Sequence, residues 1–352
     1  MREPTTPADR VAALSAEAIA QTADTIVAAQ AATGQIPWFR GGHTDPWDHV
    51  EAAMALDVAG RHDEARAAYD WLRRAQNADG SWFHTYSGEQ VLDATRESNF
   101  AAYIAVGVWH HFLATGDDDV LDRMWPTLCA ALSFVMDLQA PGGEIRWARG
   151  ADGRVTREAL LTGCASMYHS LRCALAIAER RGETQPDWEL TAATLGHAVA
   201  THPERFSPRD RYSMDWYYPV LGGALRGEPA VERIAADWDR FVVPGMGVRC
   251  VSDRPWVTGA ETCELVLALC AIGEHGRAAE LFAAVQNLRH GDGSYWTGYV
   301  YPDGAYWPVE RTTWTAGAML LASAALGGEP ATRAVFTGAG DAPASPEPAQ
   351  HP

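Results

Sequence analysis

The chain has 352 residues, 47% hydrophobic and 21% charged, and 28 basic against 45 acidic side chains give a formal charge of −17. That charge repels phosphate backbones and anionic lipid surfaces, no Lys/Arg run offers a local basic patch, and nucleic acid is not an expected partner. No apolar run of about 18 residues is present to span a membrane, the N-terminal MREPTTPADR is unlike a signal peptide, and a cytoplasmic location is expected.

Apolar residues recur with helical period almost throughout. They predict helices over 8–31, 46–60, 62–77, 98–115, 118–139, 158–181, 188–200, 215–226, 229–242, 260–273, 275–289 and 312–327. Tight glycine turns such as Ala59-Gly60-Arg61-His62 and Ile272-Gly273-Glu274-His275 join them into six antiparallel pairs. Residues 331–352, rich in Pro, Ala and Gly, have no core-forming pattern and read as a disordered tail after a domain spanning 1–330.

A long-range repeat strengthens this reading. Gly60-Arg61-His62 precedes Asp79-Gly80-Ser81-Trp82 as Gly273-Glu274-His275 precedes Asp292-Gly293-Ser294-Tyr295, both at an offset of 213 residues. The same offset relates Asp48 to Glu261, Glu51 to Glu264 and Glu97 to Glu310. An offset held over so long a stretch marks two copies of one supersecondary unit. Twelve helices with such a repeat can close into an all-α (α/α)6 toroid, a linear solenoid being the competing arrangement.

Helices would build the wall, so chemistry belongs in the loops. These hold Trp38, Trp47, Trp82, Trp147, Trp256, Trp296 and Trp307, together with Asp45, Asp48, Glu97, Glu144, Glu158, Asp215, Glu261, Asp303 and Glu310. Indole faces suit the C–H faces of a pyranose and carboxylates suit its hydroxyls, although aromatic walls also suit an isoprenoid carbocation. Several of these residues have structural explanations. Asp45 before Pro46 reads as a helix N-cap, dipole compensation favours Asp48 and Glu261, and Asp303 sits in a turn sequence. The string Asp117-Asp118-Asp119 with Asp122 resembles a diphosphate–magnesium motif but lies in an inter-helix turn, where aspartate caps. Adjacent His110 and His111 diverge on a helix, Cys263 reads as a core thiol, and the six cysteines as buried and reduced. No motif implies a metal or organic cofactor, and none speaks to oligomeric state.

Two resemblances narrow the function. QNADGSWF at 76–83 resembles the Q-x-x-D-G-S-W repeat of terpenoid cyclases and prenyltransferase-like toroids, which implies architecture and admits an isoprenoid substrate. DPWDHVEAAMALDVAGRHDEARAAYDWL, LLTGCASMYHSLRCALAIAERRGE and the segment 261–326 resemble the opening, central and closing hairpins of bacterial glucoamylase-like glycoside hydrolases. That resemblance implies a small saccharide substrate, Asp303 or Glu310 as general base, and Glu144 or Glu158 as general acid. Asp45, Trp47, Asp48, Trp82, Glu97, Asp215, Trp256, Glu261 and Trp307 would be substrate contacts. It also places Trp147 where the family has its acid, which keeps open a sugar-binding toroid without turnover.

Overall fold

A computed structural model describes residues 13–338. Its helices, in chain order, are α1 (Ala16–Ala29), α2 (Pro46–Val58), α3 (His62–Ala75), α4 (Ser98–Thr115), α5 (Asp118–Met136), α6 (Leu161–Arg181), α7 (Pro186–Thr201), α8 (Ser213–Leu221), α9 (Glu228–Ala236), α10 (Trp238–Phe241), α11 (Gly259–Ala271), α12 (His275–Val285), α13 (Thr313–Gly327) and α14 (Pro330–Thr337).

Six of these helices form a closed inner ring. α2 packs on α4, α4 on α6, α6 on α8, α8 on α11, α11 on α13, and α13 back on α2. They are apolar nearly all round, as helices enclosed on every side must be; in α11, residues 259 to 270 are all buried. α3, α5, α7, α9, α12 and α1 pack outside them. The arrangement is the expected (α/α)6 toroid, and closure of the ring rules out the linear solenoid.

A repeated glutamine ties the outer layer together. Gln30, Gln76 and Gln139 each follow an outer helix, and each amide donates to the carbonyl four residues on, at Gly34, Gly80 and Gly143. Each amide also reaches a carbonyl of the next outer helix, at Glu64, Thr127 and Thr191 respectively. Gly80 has φ +87°, and a Cβ there would sit 2.0 Å from the Ala130 carbonyl oxygen, so only glycine fits this turn. Across the seam of the ring, Thr22 of α1 donates to the Gly293 carbonyl at 2.9 Å.

The structure departs from the sequence reading in four places. The expected helix 158–181 starts at Leu161 because residues up to 160 are extended. The expected 229–242 breaks into α9 and α10 at Asp237. Short strands Val242–Val243, Gly247–Arg249, Trp256–Thr258, Gly298–Val300 and Ala305–Tyr306 make a five-stranded antiparallel sheet from loop segments. The expected tail does not begin at 331. Residues 330–337 are α14, which buries Ala331, Thr332, Val335 and Phe336 against the ends of the inner helices away from the inner-helix N-termini. Its apolar face was too short to stand out as a period. The remainder of the expected tail, 339–352, and the start of the expected helix 8–31 lie outside the described residues.

The Asp117–Asp122 string is structural, as expected. Asp117 caps α5, and Asp118 and Asp122 pair with Arg180 and Arg181. Among the described residues, no helix is long and apolar enough to cross a membrane.

Candidate active site

All six inner helices point their N-termini at the same end of the ring, since an outer helix returns the chain between each inner helix and the next, and α1 precedes the first. The aligned helix dipoles favour negative charge there. Each N-terminus opens on polar or aromatic residues, and five of the six line a cavity of about 350 Å³ at this mouth. α2 contributes Asp45, Trp47 and Asp48, α4 contributes Glu97, Asn99 and Phe100, and α6 contributes Leu160, Thr162 and Gly163. Tyr212, Met214 and Asp215 come from α8, Trp314 from α13, and Trp38, His43, His84, Thr85 and Arg209 from loops.

Four carboxyls therefore meet in one cavity. Asp45 caps α2, its Oδ1 accepting from the Asp48 amide at 2.9 Å, while its Oδ2 accepts from the Trp38 indole at 2.8 Å. Capping and cavity lining are thus both true of Asp45. Burial, with the Asp45 carboxyl alongside, holds Asp48 well above the usual carboxylate range. Glu97, buried at the start of α4, is pushed up to about 8 by burial. A hydrogen bond from the Trp147 side chain and the charge of Arg209 act in the opposite direction on it.

Asp215 lies on α8, diametrically opposite α2 in the ring. Burial raises it, while Thr162 and Arg209 favour its charged form. The Thr162 hydroxyl donates to Asp215 Oδ1 at 2.5 Å and the Thr162 amide to the same oxygen at 3.2 Å. One carboxylate oxygen is thereby fixed and the other is left to the cavity. Arg209 acts on both Glu97 and Asp215, so one guanidinium serves the two carboxyls.

Two further wall atoms have no hydrogen-bond partner among the described residues: Asn99 Oδ1 and Trp314 Nε1, both buried. Both atoms belong to residues of the cavity wall but are themselves screened from solvent. The remaining wall is largely apolar and aromatic.

Below the cavity the repeat becomes visible in space. Glu51 accepts from the Tyr103 hydroxyl, and its repeat partner Glu264 accepts from the hydroxyls of Tyr217 and Tyr218, the latter at 2.7 Å. Burial pushes Glu51 up to about 7, and burial with Glu51 nearby raises Glu264 strongly. The Trp47 ring stacks on Tyr103 at 3.8 Å, joining this layer to the cavity wall.

Of the residues expected at the site, Asp45, Trp47, Asp48, Glu97 and Asp215 are brought together. Glu261 is buried one step away, beside Cys250 and Glu264. Trp82 is wholly buried, its indole donating to the Leu72 carbonyl, so it packs the wall. Trp256 donates to the Trp307 carbonyl at the edge of the five-stranded sheet, outside the cavity. None of the four expected catalytic carboxyls lines the cavity. Asp303 is exposed in the turn before Ala305–Tyr306, Glu158 is exposed ahead of α6, and Glu144 lies in the α5–α6 loop near Gly142 and Arg205. Glu310 lines a neighbouring groove, close enough to His43 for that residue to lower its pKa against burial.

His43, His84, Asn99, Thr162, Arg209, Tyr212 and Trp314 went unnoticed in the sequence. Most of them stand within two or three residues of an inner-helix N-terminus, and that shared position was the available signal. Among the described residues, no cluster of three His, Cys, Asp or Glu could hold a metal ion.

No family model matches the chain. It is 60% identical over 325 residues to the MMP endo-(1,4)-3-O-methyl-alpha-D-mannosidase of Mycolicibacterium hassiacum, covering 92% of this chain and 90% of that protein. It is 26% identical over 174 residues to an uncharacterized glycosyl hydrolase of Methanocaldococcus jannaschii, a match that spans 45% of this chain and 25% of that one. Among solved structures, a wild-type glycosidase superposes with a TM-score of 0.70 at 15% identity over 88% of this chain and 96% of its own. A D-mannose isomerase does so with a TM-score of 0.64 at 12% identity over 92% and 99%. At such identities these last two are likenesses of fold.

Proposed function

The chain belongs to the glycoside hydrolase family of the Mycolicibacterium hassiacum mannosidase, and on that premise we propose that it cleaves internal α-(1,4) bonds in a chain of 3-O-methylated mannose. The observation that carries the proposal is the 60% identity to that endo-mannosidase over nearly the whole chain. The cavity supports it chemically. A methyl ether replaces a hydroxyl donor with an apolar group, and the wall pairs carboxyls with Trp38, Trp47, Phe100, Leu160, Met214 and Trp314. Four carboxyls in the cavity also favour a saccharide over the isoprenoid alternative.

Glycoside hydrolysis needs a carboxyl that is protonated at working pH and one that is ionised. Glu97, pushed up to about 8, holds a proton at neutral pH and would donate it to the departing glycosidic oxygen. Asp215, with Oδ1 held by Thr162, would take a proton from water through Oδ2 as that water attacks the anomeric carbon. α4 and α8 are not neighbours, since α6 stands between them, and that spacing suits a water between acid and base. The reaction would then proceed in one displacement, with inversion. Asp48 and Asp45 would bind the sugar hydroxyls.

The test is incubation with a panel of α-mannosides, methylated and unmethylated, and α-glucosides, followed by product analysis. Cleavage confined to the interior of 3-O-methylmannose chains is expected. Preferential cleavage of glucosides, or release of single sugars from a chain end, would overturn the assignment.

A further inference from the structure

Beside the catalytic cavity lies a second groove of about 740 Å³, between α1, residues 39–40 and the loop 292–313. The two share a wall. Trp38 lines the cavity while Phe39 and Arg40 line the groove, and Thr313 lines the groove while Trp314 lines the cavity. At the junction, Glu310 on the groove side is acted on by His43 on the cavity side. Cavity and groove thus lie on either side of residues 38–40 and 313–314.

The groove's surface is suited to a methylated sugar. Phe39 is 38% exposed and Val309 is 81% exposed, both as groove lining. Both line the same groove, and apolar surface gathered in one groove suits a ligand's apolar groups where a single exposed residue would not. The loop is held firmly. Arg311 donates to Asp292 at 2.6 Å and to Ser294 at 2.7 Å, and stands 5.2 Å over the Trp296 ring, whose plane is stacked against Tyr306 at 4.9 Å. With Trp296 fixed as floor, Phe39 and Val309 remain as the free apolar contacts, and Arg40 is placed for hydroxyls, while Asp24 is paired with Arg61.

We infer that this groove is an accessory subsite that holds the sugar chain beyond the residues bound in the cavity, reading the methyl ethers through Phe39 and Val309. The inference rests on the mannosidase reading, since an enzyme acting inside a chain must hold sugar well away from the scissile bond. The groove sets preference for long chains and takes no part in bond cleavage.

The experiment compares 3-O-methylmannose oligosaccharides of two and of eight or more sugars as substrates for the wild-type protein, Val309→Asp and Phe39→Ala. Both positions are exposed, and unchanged melting curves establish that the variants are folded. The expected result is a KM for the long substrate raised about tenfold in each variant, equivalent to about 1.4 kcal/mol, with kcat and the short substrate unaffected. Equal effects on both lengths, or none, would overturn the inference. If the wild-type protein cleaves none of these substrates, the mannosidase reading fails, and calorimetry with the long oligosaccharide decides the groove separately. Weaker binding by both variants supports it; unchanged binding, or none by the wild-type protein, overturns it.

Discussion

The side chain of Trp147 stands close enough to the carboxyl of Glu97 to favour its charged form. In the sequence, Trp147 stands where glucoamylase-like hydrolases have their acid, which left room for a toroid without catalysis. In space the same residue lies against Glu97, the proposed acid, at the start of the inner helix α4. The indole favours the ionised form of Glu97, so its removal raises the Glu97 pKa further. Trp147→Phe is therefore expected to move the alkaline limb of the kcat/KM profile upward, by roughly half to one pH unit. An unmoved limb in a folded, active variant would separate Trp147 from the acid.

Loss of either proposed proton-transfer group should cost far more than loss of the carboxyls outside the cavity. Glu97→Gln and Asp215→Asn are expected to lower kcat by about 10²- to 10⁴-fold, the usual worth of a positioned acid or base. Glu144→Gln, Glu158→Gln, Asp303→Asn and Glu310→Gln should each cost no more than roughly threefold in kcat, because none reaches the cavity. Steady-state kinetics on one oligosaccharide compares all six, and a large loss at Glu310 or Asp303 would restore the assignment implied by family resemblance.

Glu51 makes stability depend on pH. Its ordinary value of 4.5 is pushed up to about 7 by burial in the fold, so the folded chain holds a proton that the unfolded chain has released. Stability from this group is complete below about 4.5, declines as pH rises toward about 7, and is flat above. Glu51→Gln keeps an acceptor for the Tyr103 hydroxyl and removes the titration. Relative to wild type, it should gain on the order of 2 kcal/mol between pH 5 and pH 8. Thermal melts at the two pH values read this directly, and a difference independent of pH would contradict it.

α14 closes the end of the ring away from the mouth. Phe336 is 2% exposed and lies 5.4 Å from the His169 ring of α6, while the Val335 carbonyl meets His169 Nε2 at 2.9 Å. Phe336→Ala is expected to cost about 3 kcal/mol of stability and to leave KM unchanged, as measured by denaturant unfolding and kinetics. An unaffected midpoint would mean that α14 is not part of the cooperative unit.

The architecture was legible because the toroid is written in helical periods and in a 213-residue repeat that pairs Glu51 with Glu264 and Asp48 with Glu261. The cavity was half legible. Asp48 and Asp215 stand in the first turn of apolar helices, where a carboxyl is conspicuous, Asp45 caps α2, and Glu97 immediately precedes α4. Arg209 and His84 carry no such mark, because they reach the cavity from loops and not from a helix start. Asp303 and Glu310 stand outside the cavity for the converse reason. Their loop is rich in tryptophan and acid, yet it folds over a strand pair beside the cavity. α14, only eight residues long, was hidden by its nearness to a Pro- and Ala-rich end.

Proton donation by Glu97 and water activation by Asp215 together fix the configuration of the new reducing end. Proton NMR should be recorded in the first minutes of digestion of a 3-O-methylmannose oligosaccharide. The β-anomer is expected first from an α-linked substrate, with no product from Glu97→Gln on that timescale. First appearance of the α-anomer, or unchanged turnover by Glu97→Gln, would contradict these roles.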